Sequence, residues 1–278
     1  MIVTPIHITK ADGTTEPFDE SKLRASLQRV GASDEATEEI LHEIGGELYD
    51  GISTSEIFTR AFAHLRDHRR GVAAKYSLKR AILDFGPSGF PFEAYMAELF
   101  RVEGYHAIID QIVQGTCVEH EVDVVLTKGD VTTYVEAKFH NTAGFKTDLK
   151  TTLYVKARID DLKAVAPKRH IRGLIVTNTK FTSKAVQYAT CEGLDLLAWE
   201  YPREGNLHDR IDTAKLYPIT ALTTLTRREK TALLSQKIVL CAAIVTDKGI
   251  LKQVGVTGQR AESVFDEAQA LCASGKDI

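Results

Sequence analysis

The chain has 278 residues, 44% of them hydrophobic, with 35 lysines and arginines against 38 acids and a formal charge of −3. That length allows two or three modest cores, since domains typically run ~100–150 residues, and no apolar run reaches the ~18 residues that would span a bilayer. Cys117, Cys191, Cys241 and Cys272 form no C-x-x-C pair, and the N-terminus lacks a signal peptide's basic and apolar regions; this disfavours a zinc ribbon and a secreted disulfide framework, and leaves a soluble, cytoplasmic protein with no membrane partner as the expectation.

The first elements are small. Ile6-His7-Ile8-Thr9-Lys10, a turn at Ala11-Asp12-Gly13 and then Glu16-Pro17-Phe18-Asp19 predict a hairpin. Helices are expected from about residue 21, over 33–49, 53–67 and 72–83, with Gly51 closing one and Ser53 or Thr54 capping the next. Lys10 and Lys22 can neutralise a triphosphate, the helix start near Ser21 offers unpaired N–H groups, and Glu16 or Asp19 can accept from a base or ribose. The chain has no G-x-x-x-x-G-K-[ST] run, so nucleotide binding without P-loop hydrolysis is expected. A helical dimerisation module with ordinary surface lysines is the competing reading.

Next, Gly89-Phe90-Pro91-Phe92-Glu93 opens a helix whose apolar positions Phe92, Met96, Leu99 and Phe100 follow the helical period up to Gly104-Tyr105. Glu93 falls in its first turn, at the positive end of the dipole. Val122, Val124 and Leu126 then alternate with Asp123 and Val125, and Lys128-Gly129-Asp130 turns the chain into a second strand. There Val135, Ala137 and Phe139 share one face, and Glu136 and Lys138 the other. Two carboxylates are hard oxygen ligands suited to Mg²⁺ or Mn²⁺, and a lysine beside them can orient water or offset phosphate charge. An E-x-K pair on a solvated edge strand would look the same. Glu98 and Glu103 rival Glu93 but read as solvated helix charges. Glu121 shares Asp123's face, and His120 is either a proton shuttle or a turn histidine.

Further along, a helix over 148–165, a strand over 173–178, a helix over 183–192 and a strand over 194–199 complete an αβ pattern. Lys163, Lys168, Arg169, Arg172, Lys180 and Lys184 form an acid-free stripe, either a footprint for DNA phosphates or a solvated helix end. After the polar stretch 203–212, helices are expected over 226–236, 237–245 and 251–272. Leu222, Leu225, Leu233, Leu234, Leu240 and Leu251 would pack them together.

Phe92-Glu93, Gly104-Tyr105, Val122-Asp123-Val124 and Val135-Glu136-Ala137-Lys138 together resemble the Mrr-like branch of the PD-(D/E)xK restriction-endonuclease superfamily, over about residues 88–202. The resemblance implies a metal site of Glu93, Asp123 and Glu136, with Lys138 completing the catalytic set. Lys10, Asp12-Gly13, Glu16, Phe18-Asp19, Lys22, Tyr49-Asp50-Gly51-Ile52 and Thr54 resemble the ATP-cone of ribonucleotide reductases, over about residues 1–87. This implies ATP or dATP as a regulatory ligand at Lys10, Glu16, Asp19, Lys22 and Thr54. Ala11 and Phe58 depart from the basic residue and the histidine usual in that family. Val254-Gly255-Val256-Thr257-Gly258-Gln259-Arg260-Ala261 resembles a helix-hairpin-helix module, with Thr257 in place of its second glycine. A helical packing domain explains residues 213–278 equally well.

The expected fold class is α+β: an ATP-cone of small hairpin and helical bundle, a restriction-endonuclease-like core with a mixed sheet, and a small helical C-terminal domain. The expected function is metal-dependent DNA endonuclease activity under nucleotide control, in a homo-oligomer of two or more copies, because one core offers one active site. Two alternatives stay open: a catalytically silent, nucleotide-responsive DNA-binding protein, and an oligomeric nucleotide sensor with no nucleic-acid partner.

Overall fold

The computed structural model describes residues 5–68, 70–167 and 169–273. At the N-terminal end β1 (His7–Thr9) and β2 (Thr15–Pro17) pair antiparallel around Gly13, whose φ of 82° suits a residue without a Cβ. Five helices follow: α1 (Glu20–Arg29), α2 (Asp34–Glu47), α3 (Thr54–His68), α4 (Arg70–Tyr76) and α5 (Leu78–Leu83). Asp19 caps α1 and Ser33 caps α2, each accepting from a first-turn N–H. Leu23, Leu27, Ile40, Ile44, Ile57 and Leu65 bury one stripe from each of the first three helices, with Ile8 closing the core from the hairpin. The hairpin is pinned to the start of α3, since the Thr9 N–H donates to the Ile52 carbonyl at 2.9 Å. The helix predicted over 72–83 is two helices, interrupted between Tyr76 and Leu78.

The central unit begins with α6 (Phe90–Val102) and continues through β3 (His106–Gln114), β4 (Glu119–Lys128) and β5 (Val131–Lys138). Then come β6 (Lys146–Thr147), α7 (Leu149–Val165), β7 (His170–Thr177), β8 (Lys180–Phe181), α8 (Ser183–Glu192) and β9 (Asp195–Ala198). The five-stranded sheet has the order β3-β4-β5-β7-β9, antiparallel across its first two pairings and parallel across the last two. β3 is absent from the expected elements. It is an edge strand with Ile108 and Ile112 exposed, so apolar residues occupy both faces and blur the period of two.

Helices cover both faces of the sheet. Val124, Leu126, Val135 and Ala137 pack in one core with Phe92, Met96 and Leu99 of α6. On the other face Val155 and Ile159 of α7 meet Ile175 and Ala189. Gly173 lets α7 approach closely, because a Cβ there would lie 2.7 Å from Ile159 and 2.8 Å from Leu194. Gly173→Ala is therefore expected to cost about 1–3 kcal/mol through overpacking, measured as a lower urea midpoint.

The α6 core runs without a break into the C-terminal helices, α9 (Leu207–Ala214), α10 (Arg227–Ser235), α11 (Cys241–Thr246), α12 (Ile250–Gln253) and α13 (Gly258–Ala273). The fully buried Tyr95 hydroxyl donates to the Leu216 carbonyl across this junction at 2.5 Å. Three expectations are corrected in this region. The polar stretch 203–212 contains most of α9, whose apolar face is only Leu207 and Ile211. The helix expected over 237–245 exists only as α11, because Leu240 instead bridges to Pro218. The helix expected over 251–272 breaks at Gly255, φ 79°. Among the described residues no helix is long and apolar enough to cross a membrane.

Candidate active site

The acids of β4 and β5 meet on the α7 face of the sheet. Asp123 Oδ2 accepts the Ala137 N–H at 2.6 Å, which ties the carboxylate of one strand to the backbone of the next. Glu136 is buried, and its two oxygens face different cations: Oε1 lies 2.5 Å from Lys138 Nζ and Oε2 lies 2.5 Å from Arg158 Nη1. Arg158 comes from α7, on the buried stripe that also holds Thr152, Val155, Ile159 and Leu162. Its guanidinium lies over the Tyr154 ring, and its Nε has no hydrogen-bond partner among the described residues. The register places Asp110 of β3 opposite Asp123, where the ladder pairing lapses and Asp110 takes a left-handed φ of 56°.

Glu93 starts α6 at the same end of the sheet. Burial, then Asp123, Asp110, Glu121 and Glu136, push its carboxyl up to about 7. Asp123 is raised to about 6 by burial and by Glu136, against the downward pull of the Ala137 N–H, Lys138 and Arg158. Two acids raised together mark a pocket withdrawn from water in which carboxylates also crowd one another. The donors are all carboxylate oxygens, which suits a hard divalent cation. Among the described residues, however, no three His, Cys, Asp or Glu side chains are drawn into a ready metal cage. Glu136 is turned instead onto Lys138 and Arg158.

The pH dependence follows from these shifts. The folded chain keeps protons on Glu93 and Asp123 that the unfolded chain releases near the ordinary values of 4.5 and 3.8. This contribution to stability is therefore greatest at low pH and falls as pH rises from about 4 to about 7. Thermal melts at pH 5 and pH 8 should show the wild type losing melting temperature as pH rises, with Glu93→Gln flattening the contrast.

The rival acids are placed elsewhere. Glu98 pairs with Arg101 at 2.5 Å, and Glu103 with Arg210 at 3.3 Å. Glu121 is exposed and reaches the site only through its field on Glu93. His120 Nε2 lies 2.8 Å from Asp161, which also accepts the Cys117 N–H; the pair latches the turn before β4 to the last turns of α7. The basic stripe does not form one surface. Lys168 lies outside the described residues, while β5 and β7 run parallel with Val131 beside His170 and Lys138 beside Thr177. Arg169 and Arg172 therefore sit at the end of the sheet away from Lys138, with Arg172 paired to Asp195, and Lys180 and Lys184 sit at the near end.

In the N-terminal unit, Lys10 and Lys22 both hold Glu16, at 2.5 and 3.1 Å, and Asp19 is engaged by the Ser21 N–H and hydroxyl. Lys10 and Thr54 line a cavity of about 550 Å³ that also reaches the central unit. Arg158, Asp110 and the cavity's Lys79, Arg80 and Lys146 were not among the candidates read from the sequence. Arg158 had a legible signal, a cation in a buried helical stripe; Asp110 had none without the register.

Three family models match successive stretches of the chain: ATP cone domain over residues 6–84, Restriction endonuclease of the Mrr type over 87–200, and AF1548-like, C-terminal over 217–272. An uncharacterized protein of Archaeoglobus fulgidus is 34% identical over 175 residues, 63% of this chain and 98% of the relative. The chain belongs to that protein's family. It is an ATP cone joined to an Mrr-type restriction endonuclease domain, as two of the sequence resemblances implied, and its C-terminal part is AF1548-like, which no resemblance had indicated. The crystal structure of AF1548, a protein of unknown function, matches with a TM-score of 0.57 at 30% identity, covering 67% of this chain and all of that one. A repair endonuclease from Pyrococcus abyssi matches at 23% identity and a TM-score of 0.33, covering 40% of this chain and 46% of that one.

Proposed function

We propose that this ATP-cone–restriction-endonuclease fusion is a metal-dependent DNA endonuclease whose cone binds ATP or dATP as a regulatory ligand. The observation that carries the reading is the meeting of Asp123, Glu136 and Lys138 on two adjoining strands, beside a Glu93 raised to about 7. A divalent cation, held by Asp123, Glu136 and Glu93, would supply a water acidic enough to ionise near neutral pH and would neutralise phosphate charge. The protein's own part is positioning. The Ala137 N–H fixes Asp123, Arg158 fixes Glu136, and Lys138, with its side chain 39% exposed, can offer its ammonium to a phosphodiester oxygen during in-line attack by water. A dimer would bring two such sites to the two strands of a duplex.

The engagement of both Glu136 oxygens by cations favours a second reading, a nucleotide-responsive DNA-binding protein that does not cut. Plasmid and branched DNA incubated with Mg²⁺ or Mn²⁺, with and without ATP or dATP, separates the two. Cleavage supports the endonuclease; salt-dependent DNA binding with no cleavage of any substrate supports the silent binder. Nucleotide binding with neither leaves the sensor without a nucleic-acid partner.

A further inference from the structure

The cavity holding Lys10 and Thr54 has walls from both domains. From the cone come the hairpin turn at Ala11 and Asp12, the start of α3 and the helical residues Lys79 and Arg80; from the endonuclease domain come Phe145, Lys146 and Lys180. Five cations, Lys10, Lys79, Arg80, Lys146 and Lys180, line the cavity with two carboxylates, Asp12 and Asp84, while from outside the lining Glu16 holds Lys10 at 2.5 Å and Glu200 lies 3.3 Å from Lys180. Two exposed or half-exposed aromatic rings, Phe145 and Phe58, sit in the same lining. The domains meet here through backbone: a Cβ on Gly144 would lie 2.9 Å from the Ala11 carbonyl oxygen, so only glycine permits the approach. The Thr14 hydroxyl and N–H hold the Asp12 carboxyl below its ordinary value, and Lys146 and Lys10 add to this from opposite sides of the boundary.

The endonuclease wall is tied to the candidate active site. The segment 139–146 begins directly after Lys138. Its His140 N–H donates to Asn178 Oδ1 at 2.9 Å, and Asn178 Nδ2 returns a bond to the His140 carbonyl at 2.7 Å. β6, which starts at Lys146, pairs in parallel with β8, which starts at Lys180. Lys146 and Lys180 are thus neighbours by register, presented together on a short ribbon a few residues from the E-x-K strand.

We propose that this cavity is a shared nucleoside-triphosphate site in which Lys146 and Lys180 of the endonuclease domain bind the phosphates together with Lys10 of the cone. The inference rests on the reading that the cone binds nucleotide, and adds that the second domain completes the site. A cavity of about 550 Å³ falls in the ordinary range for a ligand of this size. Clustered lysines bind phosphate as point charges, and Phe145, 60% exposed beside its stack with His140, offers the base an aromatic surface, whereas Phe58 is already stacked on Tyr76. A nucleotide held across the boundary would fix the cone against the segment that follows Lys138, a physical contact through which the ligand could bias the active site.

Calorimetric titration of the full chain with ATP, dATP and inorganic tripolyphosphate tests this, using the wild type, Lys10→Ala and the double variant Lys146→Ala/Lys180→Ala, with thermal melts to establish folding. The expected result is that the double variant melts like the wild type and binds ATP at least about tenfold more weakly. Wild-type ATP binding that the double variant retains within twofold, while Lys10→Ala weakens it, overturns the shared site and leaves the cone reading standing. Absence of nucleotide binding by the wild type overturns both. Tripolyphosphate binding as tightly as ATP overturns the role given to the nucleoside.

Discussion

Lys138→Ala and Glu136→Gln are each expected to lower phosphodiester cleavage by about 10²–10⁴-fold while leaving duplex binding within a few-fold. The reason for the first lies in geometry. Lys138 is the one cation of the pair that reaches solvent, with its side chain 39% exposed, whereas Arg158 is buried behind Glu136. Removing the ammonium leaves Glu136 still paired to Arg158, so the fold survives and the loss falls on the reaction. Glu136→Gln keeps the shape of the side chain and removes the charge on which both cations converge. The check is a plasmid-nicking time course at saturating Mg²⁺ beside a filter-binding curve. A variant that cuts at the wild-type rate would place the chemistry elsewhere in the chain.

Arg158→Met is the second large effect, and it acts on stability. Glu136 and Arg158 are both buried, with side-chain exposures of 5% and 8%, and are joined at 2.5 Å. Losing one member of a buried pair strands the other charge away from water, typically at a cost of about 3–5 kcal/mol, whereas replacing both by apolar groups of similar size is often close to neutral. Lys138 remains beside Glu136 and offsets part of this, so the low end of that range is expected. Urea denaturation of Arg158→Met, Glu136→Leu and the double variant forms a cycle. The double variant should be more stable than the sum of the single losses implies, with a coupling of about 1–3 kcal/mol. Strict additivity would show that Arg158 serves only as packing against Tyr154.

Much of this architecture could be read from local pattern. The alternation in Val122 to Leu126 and in Val135 to Phe139 put Asp123, Glu136 and Lys138 on strand faces opposite their apolar neighbours. The structure keeps that division, with Val124, Val135 and Ala137 in the core against α6. The cap of α3 was equally legible: of Ser53 and Thr54, it is Ser53 whose hydroxyl accepts the Glu56 N–H, at 3.0 Å. These signals are local, set within a turn or two of helix or a few residues of strand, so one window of sequence contains them.

What escaped has a different origin. β3 was missed because an edge strand need not alternate, and α9 because its buried face is only two residues wide. The hairpin at Gly255 has the helix-hairpin-helix outline, but the Gly255 and Val256 N–H groups are already bonded to Lys252 and Leu251. Composition alone could not report where those donors point. The basic residues from Lys163 to Lys184 looked like one stripe because they are near in sequence, and the parallel crossover through β7 carries them to opposite ends of the sheet.

The sequence by itself determined the families of the first two parts, their order and the four side chains proposed for the chemistry, because each is written in short-range periodicity and residue type. Only the tertiary structure decided which charges share a pocket. Glu136 facing Arg158 across 22 residues, Asp110 opposite Asp123, and Lys10 near Lys146 across a domain boundary all depend on strand register and helix packing. Contacts between residues far apart in the chain form once loop closure and apolar burial have fixed the elements in place. Electrostatics at those contacts is then a property of the fold and not of any segment, and this is why the acids at the heart of the candidate site were visible from the start while the groups that hold them were not.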